Sequence, residues 1–249
     1  MELIFIAGGV FLVLLLLLAQ SLSKGVGTVG GALKQVGLFV LQKNPPGLVD
    51  IFDDKDGSGS RTWMNFGMLW LVFATLLGFL LGWHTYDPTA LDSLASVGWS
   101  YDDGSSLREA SLNFLTIALL YGLVGSGMVA TARNGSGRLA SEANASMVAL
   151  LLTAVLLATY ILPFIFGFLD VDTSENPIRT ILYSLETLAV GLLLVPVFIN
   201  LLITAANRGD QELQTSVWFL LMGIAAYIIS MLYMFFGELD GATQMVWFA

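Results

Sequence analysis

The chain contains no cysteine and a single histidine, His84. The first absence removes disulfides, thiolate metal sites and a Cys nucleophile. The second means that the chain cannot by itself furnish a bis-His haem site or a three-His metal centre. Charge is scarce as well. Only 12% of the 249 residues are Asp, Glu, Lys or Arg, about half of what a soluble domain carries. What charge there is sums to −9, which excludes nucleic acid as the expected partner, because phosphate contacts need Lys and Arg. Hydrolysis without a metal would require a nucleophile beside a positioned base. His84 stands in no such pattern, and neither a triad nor a P-loop is present.

Apolar residues fill the space, at 56% of the sequence. A soluble fold could not hide so much apolar surface, whereas a lipid-facing exterior has no need to. About six apolar stretches are long enough to cross about 30 Å of hydrocarbon. They run Leu3 to Ser21, Met64 to Trp83, Leu112 to Ala132, Met147 to Leu169, Ile178 to Ala206 and Ser216 to Gly237. The expected fold is an all-α, polytopic transmembrane bundle, with the lipid bilayer of the cell membrane as its surroundings. The only charge before the first run is Glu2, and a cleaved signal would carry a basic leader and a shorter core. Residues 1–22 are therefore expected to be an uncleaved anchor, 23–62 a cytoplasmic or interfacial amphipathic segment and loop, and 63–249 a five-helix bundle.

Within the middle segment, Val26 to Leu41 is Gly-rich and moderately apolar, an interfacial or re-entrant pattern more than a span. Pro45-Pro46 ends it. Asp53 to Ser60 then reads as a flexible solvated loop; it resembles a calcium loop only faintly, since Phe52 and Trp63 occupy positions where carboxylates belong.

Sidedness follows from Lys and Arg. With alternating spans, Lys24, Lys34, Lys43, Lys55, Arg61, Arg133, Arg138 and Arg208 share one side, and only Arg108 and Arg179 the other. The basic side is expected to face the cytoplasm, with both termini outside. Trp63, Trp83, Tyr86, Trp99, Trp218 and Trp247 stand at expected interfaces. Gly122 and Ser126 form a small-xxx-small pair suited to close helix contact.

Few residues inside the spans carry polar chemistry. Glu186 is a carboxylate inside a span, either a proton or ion site or a group solvated near the outer end and bonded to Tyr183 or Thr187. Pro196 and Asn200 interrupt the same helix and read as a kink and a packing contact, or as part of a polar path. His84, beside Trp83 at the outer boundary, reads as an anchor before it reads as a ligand. No catalytic residue and no metal site emerges.

The last five spans resemble, in order, the first five helices of the haem-copper oxidase large subunit, the nitric oxide reductase and divergent oxidase branch above all. The resemblance rests on Trp63-Met64-Asn65-Phe66-Gly67-Met68-Leu69-Trp70 with Leu76-Leu77-Gly78, and on Leu107-Arg108-Glu109-Ala110-Ser111-Leu112-Asn113 followed by Gly122-Leu123-Val124-Gly125 and Ala132-Arg133. It continues through Glu175-Asn176-Pro177, Asn200 and Thr204, Ser216-Val217-Trp218-Phe219-Leu220-Leu221, and Gly241 with Trp247-Phe248. The family reads Arg-x-x-His where this chain has Arg108 to Ser111, so Ser111 occupies the position of an axial haem ligand. The copper-binding histidines and the other haem ligands belong to later helices of the family.

What the resemblance implies is a subunit of a respiratory electron-transfer complex that binds no cofactor alone. It would act as an accessory or split scaffold against other membrane subunits carrying haem and copper. Two alternatives stand beside it: a small transporter or channel with a polar path at Glu186, Pro196 and Asn200, and a structural or assembly membrane protein.

Overall fold

The computed structural model describes residues 28–43, 49–92, 104–168, 177–208 and 212–239. Regular structure among these residues is entirely helical. The helices are α1 (Thr28–Lys43), α2 (Ser58–Tyr86), α3 (Gly104–Asn134), α4 (Glu142–Phe168), α5 (Pro177–Ala206) and α6 (Thr215–Leu239), with a short 3-10 turn at Val49–Ile51. Five of them, α2 to α6, are long and apolar enough to cross a membrane. The chain is thus an all-α membrane protein. The stretch Leu3 to Ser21 and the anchor expected at residues 1–22 lie outside the described residues.

Each long helix outruns the apolar run that announces it. α2 begins at Ser58 rather than Met64, α3 at Gly104 rather than Leu112, and α4 at Glu142 rather than Met147. The added turns are polar, and they form because helix ends carry orphan N–H and C=O groups that nearby polar side chains satisfy. Hydropathy registers only the stretch that meets lipid.

Hydrogen bonds and close contacts define the arrangement. The start of α2 touches the start of α4 through Gly57 and Glu142. The turn before α4 touches the end of α5 through Ser141 and Asn200, and the end of α3 touches the approach to α6 through Asn134 and Gln214. One end of the bundle therefore gathers the starts of α2, α4 and α6 with the ends of α3 and α5. It is also the end of the basic connections, and we call it the basic-loop end.

α4 packs on both α2 and α5, and every residue from Ser141 to Ala149 is buried; α5 in turn packs on α1, α3, α4 and α6. Hydrocarbon offers helices little hydrophobic reward for associating, so close van der Waals packing and hydrogen bonds hold them. α2 and α3 form the most extensive pair. The small residues at this contact are Gly67, where a Cβ would meet Gly122 N at 3.3 Å, and Gly125, where it would meet Trp63 Cβ at 3.2 Å. Of the pair read from sequence, Gly122 lies at this contact facing Gly67, whereas Ser126 is exposed and bonds its own Leu123 carbonyl. Trp63 departs from its reading as an interfacial anchor. It is fully buried, stacks on Tyr121 with ring centroids 4.8 Å apart, and donates Nε1–H to the Ala145 carbonyl at 2.9 Å. Trp83 and Tyr86 are exposed at the opposite end; Trp99 and Trp247 lie outside the described residues.

Candidate functional site

The densest polar assembly lies where α2 and α4 begin. The chain turns through Gly137, at φ +88°, and enters α4 with Ser141 as its cap, the hydroxyl oxygen accepting Asn144 N–H at 3.2 Å. The first two amides of α4 are met from elsewhere: Asp54 Oδ1 accepts Glu142 N–H at 3.0 Å and Ala143 N–H at 3.2 Å. α2, for its part, cannot cap itself. Its cap residue is Gly57, left-handed at φ 76° and without a side chain. Glu142 does the work instead. Oε1 accepts the amides of Gly57 at 3.0 Å and Leu139 at 3.1 Å, and Oε2 accepts that of Gly59 at 2.9 Å.

The two helices thus exchange caps. Asp54, just ahead of α2, serves α4, while Glu142, at the head of α4, serves α2. Two positive helix ends meet here and each receives an acidic side chain, the arrangement that helix dipoles and charge-assisted hydrogen bonds favour. Glu142 is 1% exposed, so its carboxylate is satisfied by backbone and not by water. Gly59 makes the approach possible: a Cβ there would lie 2.7 Å from Ala145 Cβ and 3.0 Å from Glu142 Oε2.

Arg138 closes the outside of the cluster. It donates to Asp54 Oδ2 at 2.8 Å and stands 3.5 Å from Asp56. Both partners of the shorter pair are about half exposed, so solvent screens them and the pair contributes at most about 1 kcal/mol. Asp53 faces water beside Lys55, whose ammonium at 3.2 Å holds the Asp53 carboxyl below its ordinary range. The stretch Asp53 to Ser60, read from sequence as a flexible solvated loop, is therefore solvated on its Asp53 side and tied down on its Asp54 side, and its last three residues are helical.

The end of α5 joins the same assembly. Asn200, fully buried, donates Nδ2–H to the Ser141 carbonyl at 2.6 Å and accepts Ser141 N–H at 3.2 Å, gripping the backbone of one residue at both its N–H and its C=O. Thr204 accepts Ala140 N–H at 2.9 Å and donates to the Asn200 carbonyl. Asn134 clamps the last connection, donating to the Glu212 carbonyl and accepting Gln214 N–H.

The residues singled out from sequence do not converge. Asn200 belongs to this cluster. Glu186 is half-buried and about 21 Å away along the axis of α5 at 1.5 Å per residue. Between them Val190, Leu194 and Val197 are buried and apolar. The helix continues through Pro196, so α5 is one continuous helix and not two half-helices around a polar gap. Glu186 lies within electrostatic reach of Tyr227 on α6. His84 is half-buried in the last turn of α2, with Nδ1 enclosed and lacking a hydrogen bond. Ser111 donates its hydroxyl to the Ala74 carbonyl at 3.1 Å, and a Cβ at Gly78 would lie 3.5 Å from that oxygen. Ser111 is thereby a helix-to-helix bond between α3 and α2.

Glu142 was not legible as a site. It follows Ser141 at the edge of an apolar run, where a charge reads as solvated loop. The local signal was the spacing of Ser141 and Asn144, a cap pattern; the carboxylate's partners at Gly57 and Gly59 stand more than eighty positions away, by a sequence separation of 83 for the Gly59 bond.

Among the described residues no group of three or more His, Cys, Asp or Glu could hold a metal ion. Ser111, the position that the resemblance would give to a haem ligand, has its hydroxyl committed to a backbone carbonyl. Chemically, the assembly is a clamp on helix ends. Comparison of the chain with protein-family models, with curated proteins and with solved structures finds no match.

Proposed function

We propose that this chain is an integral membrane subunit of a respiratory, haem-copper-oxidase-like electron-transfer complex, in which it serves as a scaffold that ligates no haem and packs against cofactor-bearing subunits of the cell membrane. Its basic-loop end faces the cytoplasm and both termini face outward. The observation that carries the reading is the ordered set of motifs from Trp63 to Phe248, which resembles the first five helices of the oxidase large subunit helix by helix. The bond from Ser111 to Ala74 supports the scaffold part of it, since a hydroxyl used to join two helices serves packing where the family has a ligand. Alternation of the five helices, which gathers the basic connections at one end, agrees with the sidedness rule.

The test is to purify the tagged, full-length chain from its native membrane in a mild detergent. The proposal expects haem-bearing membrane subunits to co-elute, with a Soret band in the complex and none from the chain stripped of partners. A chain that elutes alone, or one that carries haem by itself, would overturn it.

A second reading, transport through a polar path, rests on Glu186 as a half-buried carboxylate in a span, costly to keep without a role. Reconstitution in liposomes separates it from the first. An unchanged ion flux on Glu186→Gln removes transport, and any flux that collapses with this change favours it.

A further inference from the structure

Outside the five long helices, α1 presents two unlike faces. Toward the bundle, Lys34 donates to Asn207 Oδ1 at 2.6 Å, and a Cβ on Gly37 would come within 2.8 Å of Ile203 and 3.1 Å of Ile199. Leu41, one turn further on the same face, is fully buried. Away from the bundle, Val36 is 61% and Phe39 64% exposed. The two lie three residues apart and so share a face, with exposed Gln35 and Gln42 along its flank.

Depth says what covers this face. α1 rests against Ile199 to Asn207, the last turns of α5, and Ile199 is about 10 Å inward from the end of that helix at 1.5 Å per residue. α5 has membrane-spanning length, so a helix packed on its final turns lies level with the edge of the hydrocarbon. Interfacial helices seat their apolar face about 5–10 Å into the boundary between headgroups and acyl chains. We infer that Val36 and Phe39 insert into the acyl boundary of the leaflet at the basic-loop end, making α1 a membrane-surface helix whose ligand is phospholipid. Lys34 is turned the other way, where its amino group pins the helix to α5. The inference depends on the chain being membrane-embedded and not on the respiratory reading.

Because the chain has no cysteine, single cysteines can report each position. Val36→Cys, Phe39→Cys and, as a water-facing reference, Lys55→Cys, whose parent side chain is 80% exposed, are spin-labelled in the full-length protein. Each is reconstituted into vesicles of phosphatidylcholine and phosphatidylglycerol. Molecular oxygen concentrates among acyl chains and a nickel chelate stays in water, so the ratio of their collision rates reads depth. The expected result is a ratio severalfold higher at positions 36 and 39 than at 55. Nickel-dominated relaxation at 36 and 39 would put the face in water and overturn the inference. Exclusion of both reagents would also overturn it, by showing that protein, such as the apolar stretch Leu3 to Ser21 or another subunit, covers the face.

Discussion

The two ends of the bundle solve the same problem differently. At the basic-loop end, side chains reach across the sequence to satisfy helix termini: Glu142 serves α2, Asp54 serves α4, and Asn200 and Thr204 hold the turn between α3 and α4. At the opposite end, the bonds that close α2 stay local. Thr85 bonds the Leu81 carbonyl, Asp87 N–H bonds the Trp83 carbonyl, and Asp87 in turn accepts from Thr89. The difference teaches where this fold is specified. Apolar helix faces in lipid tolerate sliding, because lipid tails are as good a neighbour as another leucine. A buried carboxylate on three amides tolerates none, because every displaced N–H is left unpaired in a dry place. The basic-loop end fixes the register of the bundle.

That contrast is most severely tested at Glu142. Glu142→Ala leaves three amides without their acceptor, those of Gly59 and Leu139 buried and that of Gly57 half-buried, and should lower stability by about 3 kcal/mol, seen as a large drop in the thermal midpoint in detergent. Glu142→Gln should recover only part, since an amide brings donors to a site made of donors. A Glu142→Ala protein as stable as the parent would remove the cross-cap from the account. Next in size, Asn200→Leu deletes both bonds to the Ser141 backbone and should cost about 2 kcal/mol by the same measurement.

Gly59→Ala approaches the same contact from the other helix. Its methyl would press on Ala145 and Glu142, an overpacking cost of about 1–3 kcal/mol, whereas Gly82→Ala near the opposite end of α2 meets nothing within 4 Å and should leave the midpoint unchanged or slightly raised. The pair of glycines is the sharpest version of the comparison, since chemistry and helix are the same. Ser111→Ala removes one bond between α2 and α3, about 1 kcal/mol. Smallest of all, Arg138→Ala breaks exposed ion pairs and an exposed bond to the Asp54 carbonyl and should change stability by less than about 1 kcal/mol, and by less still at high salt.

Much of the fold was legible from residues alone, and the reason is solvent. A run such as Met64 to Trp83 has one comfortable environment, so existence and approximate place of the long helices followed from hydropathy. Their ends did not, because Ser58 to Trp63 is helical through amides met by Glu142, a partner that no hydropathy window detects. Asn200 was legible as a packing contact, since an amide inside a span needs a partner, although its partner, the Ser141 backbone in the turn before α4, was not. Trp63 was misread for a related reason. At the edge of an apolar run a tryptophan suits an interface equally well, and only the presence of Ala145 O beside its indole draws it into the core.

By itself, the sequence determined the medium. A chain with so few charges and so many long apolar runs must satisfy its backbone within each segment, and helices in hydrocarbon are the answer to that demand. Only the tertiary structure decided which ends meet, which glycines allow it, and that Glu142 is a carboxylate enclosed by backbone. Those outcomes depend on groups such as Glu142 and Gly59, brought together by packing from distant parts of the chain, and pairwise chemistry of that kind leaves almost no trace in local composition.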